Sequence, residues 1–217
     1  MRNRFDEQLS ELKQELTIMG ALCENSISMA VKAFVDGNKE FAAKAIGLDS
    51  EVDTKEKEIE TMCLRLLLQQ QPVAKDLRII SSALKMITDV ERIGDQASDI
   101  AEIAQYTKVD DMPNTRHITQ MAREAVKMVT DSIEAFVRND LALASSVIEY
   151  DDVVDGLFSE VKEDIVEMLK GNKYKAEAVI DLLMIAKYLE RIGDHATNIA
   201  EWVVFSITGV HDGHEEV

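Results

Sequence analysis

Glu91-Arg92-Ile93-Gly94-Asp95 recurs as Glu190-Arg191-Ile192-Gly193-Asp194, an offset of 99 residues. The likeness runs on, with Gln96-Ala97-Ser98-Asp99-Ile100-Ala101-Glu102 set against His195-Ala196-Thr197-Asn198-Ile199-Ala200-Glu201. Around the first copy, Ile79, Ala83, Met86, Val90, Ile93, Ala97, Ile100 and Ala104 alternate steps of four and three. That is a heptad seam, the pattern of long helices packed side by side. The second copy carries the same seam in Ala178, Leu182, Ile185, Leu189, Ile192, Ala196, Ile199 and Val203. Two unrelated helices share apolar positions by chance, but not Glu, Arg, Gly and Asp together with them.

Upstream the repeat continues. Ala33-Phe34-Val35 matches Ala135-Phe136-Val137, and Asp49 and Asp53 match Asp151 and Asp155, now at an offset of 102. The change of offset marks a shorter hairpin connection in the second half, and loops are where chains tolerate such deletions. Helical periodicity fills the spaces between. Leu9, Leu12, Leu16, Met19, Cys23, Ala30 and Phe34 form the stripe of a first helix that ends at Asp36-Gly37-Asn38. A second helix spans about Lys39 to Gln70, and Gln71-Pro72 breaks it, because the residue before a proline disfavours the α region. The third runs from about Val73 to Tyr106. Lys108 to Asn114 interrupts the pattern, which then resumes as helices of about Thr115–Arg138, Leu141–Lys170 and Lys175–Ile207, with a polar tail expected to fray. The fold is therefore expected to be all-α, two tandem three-helix bundles, with the first repeat in residues 1–110 and the second in 111–217.

Composition narrows the function. In 217 residues, 24 Lys and Arg face 41 Asp and Glu, a formal charge of −17. Bulk-charge binding of nucleic acid or anionic lipid needs the opposite excess, so neither is expected, while the charge permits cation binding and basic protein partners. Met1-Arg2-Asn3-Arg4-Phe5-Asp6-Glu7 turns acidic before any apolar run, so no signal peptide is expected. No uncharged stretch approaches the ~20 residues of a membrane span. The expected location is the cytoplasm, with membrane association only through a partner. Cys23 and Cys63 lie in apolar-periodic stretches and read as buried free thiols.

Each repeat carries two acidic pairs at i,i+4: Asp49/Asp53 and Glu91/Asp95 in the first, Asp151/Asp155 and Glu190/Asp194 in the second. Residues four apart share a helix face, about 6 Å apart along the axis, and like charges there repel. Folding each hairpin brings the pairs level, because the first two centre on Pro72 and the second two beside Gly171-Asn172. Asp99 and Glu102 extend one stripe, and Asn198 and Glu201 the other. Four converging carboxylates need protons or cations. All-oxygen donors suit hard divalent ions, and bridging carboxylates hold iron and manganese clusters. Gly94 and Gly193 each cost a helix roughly 1 kcal/mol, which points to close backbone approach or space for a ligand. A solvated acidic face, neutralised by Arg92 and Arg191, is the plainer alternative.

These repeated acid-xxx-Asp pairs, with Gln71-Pro72-Val73-Ala74-Lys75-Asp76-Leu77-Arg78 and Tyr188-Leu189-Glu190-Arg191-Ile192-Gly193-Asp194-His195-Ala196-Thr197-Asn198-Ile199-Ala200-Glu201, resemble the PhoU family of phosphate-uptake regulators along the whole chain. The resemblance implies two tandem three-helix bundles whose Glu/Asp-xxx-Asp motifs hold multinuclear metal clusters. By position these are Asp49, Asp53, Glu91, Asp95, Asp151, Asp155, Glu190 and Asp194, with Asn198 for Asp99 leaving the second site less acidic. The metal itself (Fe, Zn, Mn or Mg) is not readable. The resemblance further implies regulation rather than catalysis. The implied action is restraint of a phosphate ABC transporter and of the phosphate-starvation response, through the transporter's ATPase subunit and a phosphate-sensing histidine kinase, by a protein that is commonly a homodimer. Two rivals stand beside it. One is a metal-free helical adaptor. The other is a carboxylate di-metal enzyme, against which the absence of any Glu-x-x-His counts. His195 reads as a surface or inter-helix histidine.

Overall fold

The chain is all helix in the computed structural model, which describes residues 2–70, 72, 74–107, 116–171 and 174–210. The helices are α1 (Arg2–Asp36), α2 (Lys39–Gln70), α3 (Lys75–Tyr106), α4 (Arg116–Arg138), α5 (Leu141–Gly171) and α6 (Ala176–Thr208). The sequence-based bounds agree to within about two residues, the usual scatter of helix ends. The expected division at 110/111, the Lys108–Asn114 interruption, Gln71, Asn172 and the tail from His211 lie outside the described residues.

The turns repeat as the helices do. Gly37 and Asn139 occupy equivalent positions with φ of 63° and 53°. Glycine meets no penalty there, and asparagine is among the few other residues that visit this region routinely. The following residues, Asn38 and Asp140, cap the next helix: Asn38 Oδ1 accepts from the Glu40 amide at 2.9 Å, and Asp140 Oδ1 from that of Leu143 at 3.0 Å. At the far end Gly209, at φ 83°, closes α6 by donating its amide to Phe205 O at 2.8 Å.

Each repeat forms a three-helix bundle, α1–α2–α3 and α4–α5–α6, and the bundles join through α3 on α6 and α1 on α4. Four helices thus close a ring, α1–α3–α6–α4, with α2 and α5 laid against its two sides. All sixteen seam residues are buried. Contacts between α3 and α6 run antiparallel: Arg78 lies against Gly209, Lys85 faces the Trp202 ring, Asn198 donates to Asp89 at 3.2 Å, and Thr107 donates to Asp181 at 3.0 Å. Following these pairs along the two helices places Gly94 and Gly193 near the same level, where a two-fold relation between the repeats has its centre.

One continuous core serves both bundles, with Phe34 and Phe136 at equivalent places. Cys23 and Cys63 are buried and free. Burial pushes the Cys63 thiol up to about 12 and the Cys23 thiol up as well. One helix, α1, has the length to cross a membrane and a window of mean hydropathy 1.3, but half of that window is buried inside the bundle. Its apolar residues Leu12, Leu16, Met19 and Ile27 are fully enclosed, as a core helix requires.

Because the core is shared, Phe34→Ala and Phe136→Ala are each expected to cost about 3–5 kcal/mol and to shift one cooperative transition. Urea unfolding followed by circular dichroism checks this; a transition split in two by either variant would mean that the repeats unfold independently.

Candidate metal centre in each helical hairpin

The acidic pairs sit beside the seams on the sides of α3 and α6 turned toward α2 and α5. Helix approach is close there. A Cβ at Gly94 would come within 3.1 Å of Val52 Cγ1 on α2, and one at Gly193 within 3.4 Å of both Asp151 Oδ1 and Val154 Cγ1 on α5. Glycine at position 94 therefore lets α3 approach α2, while at position 193 it leaves room for a Cβ beside a carboxylate oxygen.

Electrostatics shows which acids the fold brings together. In the first repeat, burial raises the Asp49 carboxyl, and Asp95, Asp53, Asp99 and Glu102 push it further. Glu91 is raised by burial and by Asp95, with Arg92 opposing. Asp99 is raised mainly by burial, and a hydrogen bond from Tyr188 opposes the rise. Glu56 joins them, raised by burial and by Glu60 and Asp53. In the second repeat, burial lifts Asp151 to about 6, helped by Asp155 and Asp194 and opposed by the Thr197 hydroxyl. Asp194 is raised by burial and Glu190, with Lys187 opposing. Each hairpin thus sets acids from its two helices within interacting range.

The side chains as placed do not gather round a point. Among the described residues no three His, Cys, Asp or Glu side chains stand ready to share one ion. Basic neighbours hold some of them instead. Arg92 pairs with Asp95 at 2.9 Å and Glu91 at 3.5 Å, and Lys187 pairs with Glu190. The donor set nevertheless fits a hard cation: it is all carboxylate, it is carried at one level by two closely approaching helices, and it is charged at a cost that an ion would offset. Asp49, Asp53, Glu91 and Asp95 would hold an ion in the first hairpin, and Asp151, Asp155, Glu190 and Asp194 in the second. Asn198 turns across α3–α6 to Asp89, and His195 Nδ1 meets the same Asp89 at 2.9 Å.

Sequence reasoning passed over Glu56 and Lys187. Glu56 was findable, since it follows Asp53 by three residues on one face. A search for duplicated acids misses it because its equivalent is Phe158. The second-repeat neutraliser is Lys187 rather than Arg191, which acts on Asp99 and Tyr188 of the α3–α6 contact.

Fold and site together define a class: a two-repeat helical protein with an acidic cluster on each hairpin. The PhoU domain model matches residues 16–104 and 118–203, one match per repeat. The chain belongs to the PhoU family. It is 35% identical over 210 residues to a "Phosphate-specific transport system accessory protein PhoU homolog" of Clostridium acetobutylicum, covering 96% of each chain. The Pseudomonas aeruginosa homologue of the same description is 34% identical, with 97% of this chain and 88% of that one covered. Among solved structures, PhoU from Pseudomonas aeruginosa superposes with a TM-score of 0.88 at 33% identity, over 95% of this chain and all of that one. The "phosphate transport system regulatory protein PhoU" from Streptococcus pneumoniae also gives 0.88, at 28% identity, over 95% of this chain and 98% of that one.

The raised Asp151 carboxyl has a consequence for stability. A folded value of about 6 against the ordinary 3.8 means that the native chain holds this proton more tightly than the unfolded chain. Stability is then lost as pH rises through that interval, and the loss persists above it. In metal-free protein, Asp151→Asn is expected to raise the melting temperature at pH 7.5. The gain should be on the order of 1 kcal/mol, or about 2–4 °C, because the site is open enough for solvent to screen it. The gain should disappear below about pH 4. Differential scanning calorimetry across this range decides it, and a variant less stable than its parent at pH 7.5 would contradict it.

Proposed function

We propose that this protein is a regulator of phosphate uptake that acts in the cytoplasm, restraining a phosphate ABC transporter and the phosphate-starvation response, with cations held at its two carboxylate clusters. The observation that carries the reading is the near full-length match to proteins described as accessory to a phosphate-specific transport system. The partners it implies are the transporter's ATPase subunit and a phosphate-sensing histidine kinase, met by the protein as a homodimer. Accessory and regulatory descriptions of the relatives favour a protein that is not an enzyme.

The physical part of the proposal concerns charge. Without a cation, each hairpin holds partly desolvated acids at a cost. A bound divalent or multinuclear metal supplies positive charge that removes this cost. The carboxylates would turn from Arg92 and Lys187 toward the ion, which frees those two basic groups to face solvent or a partner. Occupancy would thus change the electrostatic surface near both hairpins, and surface potential selects partners and sets association rates. A second reading has its own support. The pairs Arg92 with Asp95 and Lys187 with Glu190 already neutralise part of each cluster, as a metal-free adaptor would do.

The two readings separate on stability. A ligand that binds only the native state at 100 times its Kd raises apparent stability by about 2.7 kcal/mol. Added Fe, Mn, Zn or Mg is therefore expected to raise the melting temperature by roughly 5–10 °C. Glu91→Ala with Asp95→Ala should abolish the part of that shift, and of the metal found by elemental analysis, that belongs to the first cluster. No shift with any of these ions in the parent protein would leave the adaptor reading standing. Co-purification with the transporter ATPase tests the regulatory half separately; failure to associate in both metal-loaded and metal-free states would count against it.

A further inference from the structure

Aligned by sequence, the two repeats differ in charge at several positions, and three of these act directly on the quartets. Where the first repeat has Glu56, the second has Phe158; where the first has Asp99, the second has Asn198; where the first has Thr88, the second has Lys187. Each exchange makes the second cluster less negative. The structure gives each a definite place. Glu56 lies within interacting range of Asp53 and Glu91. Asn198 is spent on Asp89 across the α3–α6 contact. Lys187 pairs with Glu190 while its ammonium sits 5.7 Å from the Phe158 ring centroid. The ring that replaces an acid in the second repeat thus borders the ion pair there, with Lys162 over it at 4.7 Å.

The two resident basic groups are also unequal as competitors. Arg92 makes its short contact to Asp95, whose side chain is 35% exposed, whereas Lys187 is bound to Glu190, whose side chain is only 14% exposed. An ion pair to the more desolvated acid is screened less and is harder to exchange for another cation. Removing Lys187 leaves the Phe158 ring with the Lys162 ammonium over it.

We propose that the two clusters are inequivalent: the first repeat takes up metal ions before the second, and Lys187 is a built-in counter-ion that an incoming ion must displace from Glu190. The chemical class of ligand is a hard divalent cation, and the proposal rests on the metal reading given above. Lys187 positions Glu190 and competes for it; it holds no metal itself. Filling would then proceed in steps, with the second cluster responding only at higher ion concentration.

Titration with Mn2+ alone tests this, read by calorimetry for affinity and by elemental analysis for ions per chain. The parent protein is expected to show a tighter and a weaker class of sites. Asp49→Asn with Asp53→Asn should remove the tighter class, and Asp151→Asn with Asp155→Asn the weaker. Lys187→Gln should tighten the weaker class by about tenfold, while Lys187→Arg, which keeps the charge, should leave it weak. Metal-free melting curves confirm that the variants are folded. Loss of the tighter class in the second-repeat variant, a single class in the parent, or unchanged weak affinity in Lys187→Gln would each overturn the order of filling while leaving the metal reading intact. A parent protein that binds no Mn2+ and none of the other ions would overturn both.

Discussion

The antiparallel packing of α3 on α6 is the constraint from which the rest of the molecule follows. Both seams mix small alanines with larger aliphatic residues, Ala97 and Ala104 in one, Ala178 and Ala196 in the other, and all are buried in the shared core. Apolar burial at roughly 25 cal/mol per Å2 makes this contact, with α1 on α4, a major part of what holds the repeats together. Once α3 and α6 are paired and their seams are buried in the shared core, the remaining faces of the two helices are set as well. Residues flanking the seams must lie against α2 and α5, and those are the acids. Carboxylates beside a dry seam lose part of their hydration, which is why burial is the first cause of the rise at Asp49, Glu91, Asp151 and Asp194. Core packing and site chemistry are thus one arrangement seen from two sides of the same helices.

The two-fold relation between repeats extends to polar contacts. Tyr188 of α6 reaches Asp99 of α3, and at the equivalent place Asn198 of α6 reaches Asp89 of α3. Asp89 and Tyr188 are counterparts in the repeat, as are Asp99 and Asn198. The same contact is therefore made twice with donor and acceptor exchanged. In the first instance the acceptor is an acid of the carboxylate stripe, so the first cluster is tied to the second repeat. In the second instance the acceptor, Asp89, also meets His195, and the stripe contributes only an amide.

How much of this a reader of the sequence can see depends on the range of the interaction. Helices and turns are local matters. Gly37-Asn38 and Asn139-Asp140 announce their turns, and the heptad seams announce the buried stripes. The levels of the acidic pairs needed one further step, the folding of each hairpin about its connection, and Asp49 does meet Asp95 in mutual influence. Side-chain choice between partners was not legible. Nothing local says that Arg92 stays with its own pair while Arg191 acts on Asp99 in the other repeat. That outcome depends on the level at which α3 crosses α6, and the seam pattern alone leaves it open. Nor does i,i+3 spacing single out Lys187 for Glu190, because on a helix surface a basic residue three positions away forms an ion pair or stays in solvent for small differences in energy.

Repetition also separates what the fold demands from what the site can vary. At the seam the two copies exchange one apolar residue for another: Ile79 for Ala178, Ala83 for Leu182, Val90 for Leu189. The loss of volume at Ile79/Ala178 offsets the gain at Ala83/Leu182, and every exchange stays apolar, which is the kind of change cores accept. On the acid-bearing side the changes are of charge, and they carry no such requirement, since Glu56, Asp99 and Lys187 all keep access to solvent. Charge at the clusters can therefore be set repeat by repeat without loosening the contact that positions them. On the proposal made above, a symmetric scaffold bearing asymmetric charge would respond to one ion in two steps, a property that neither bundle would have alone.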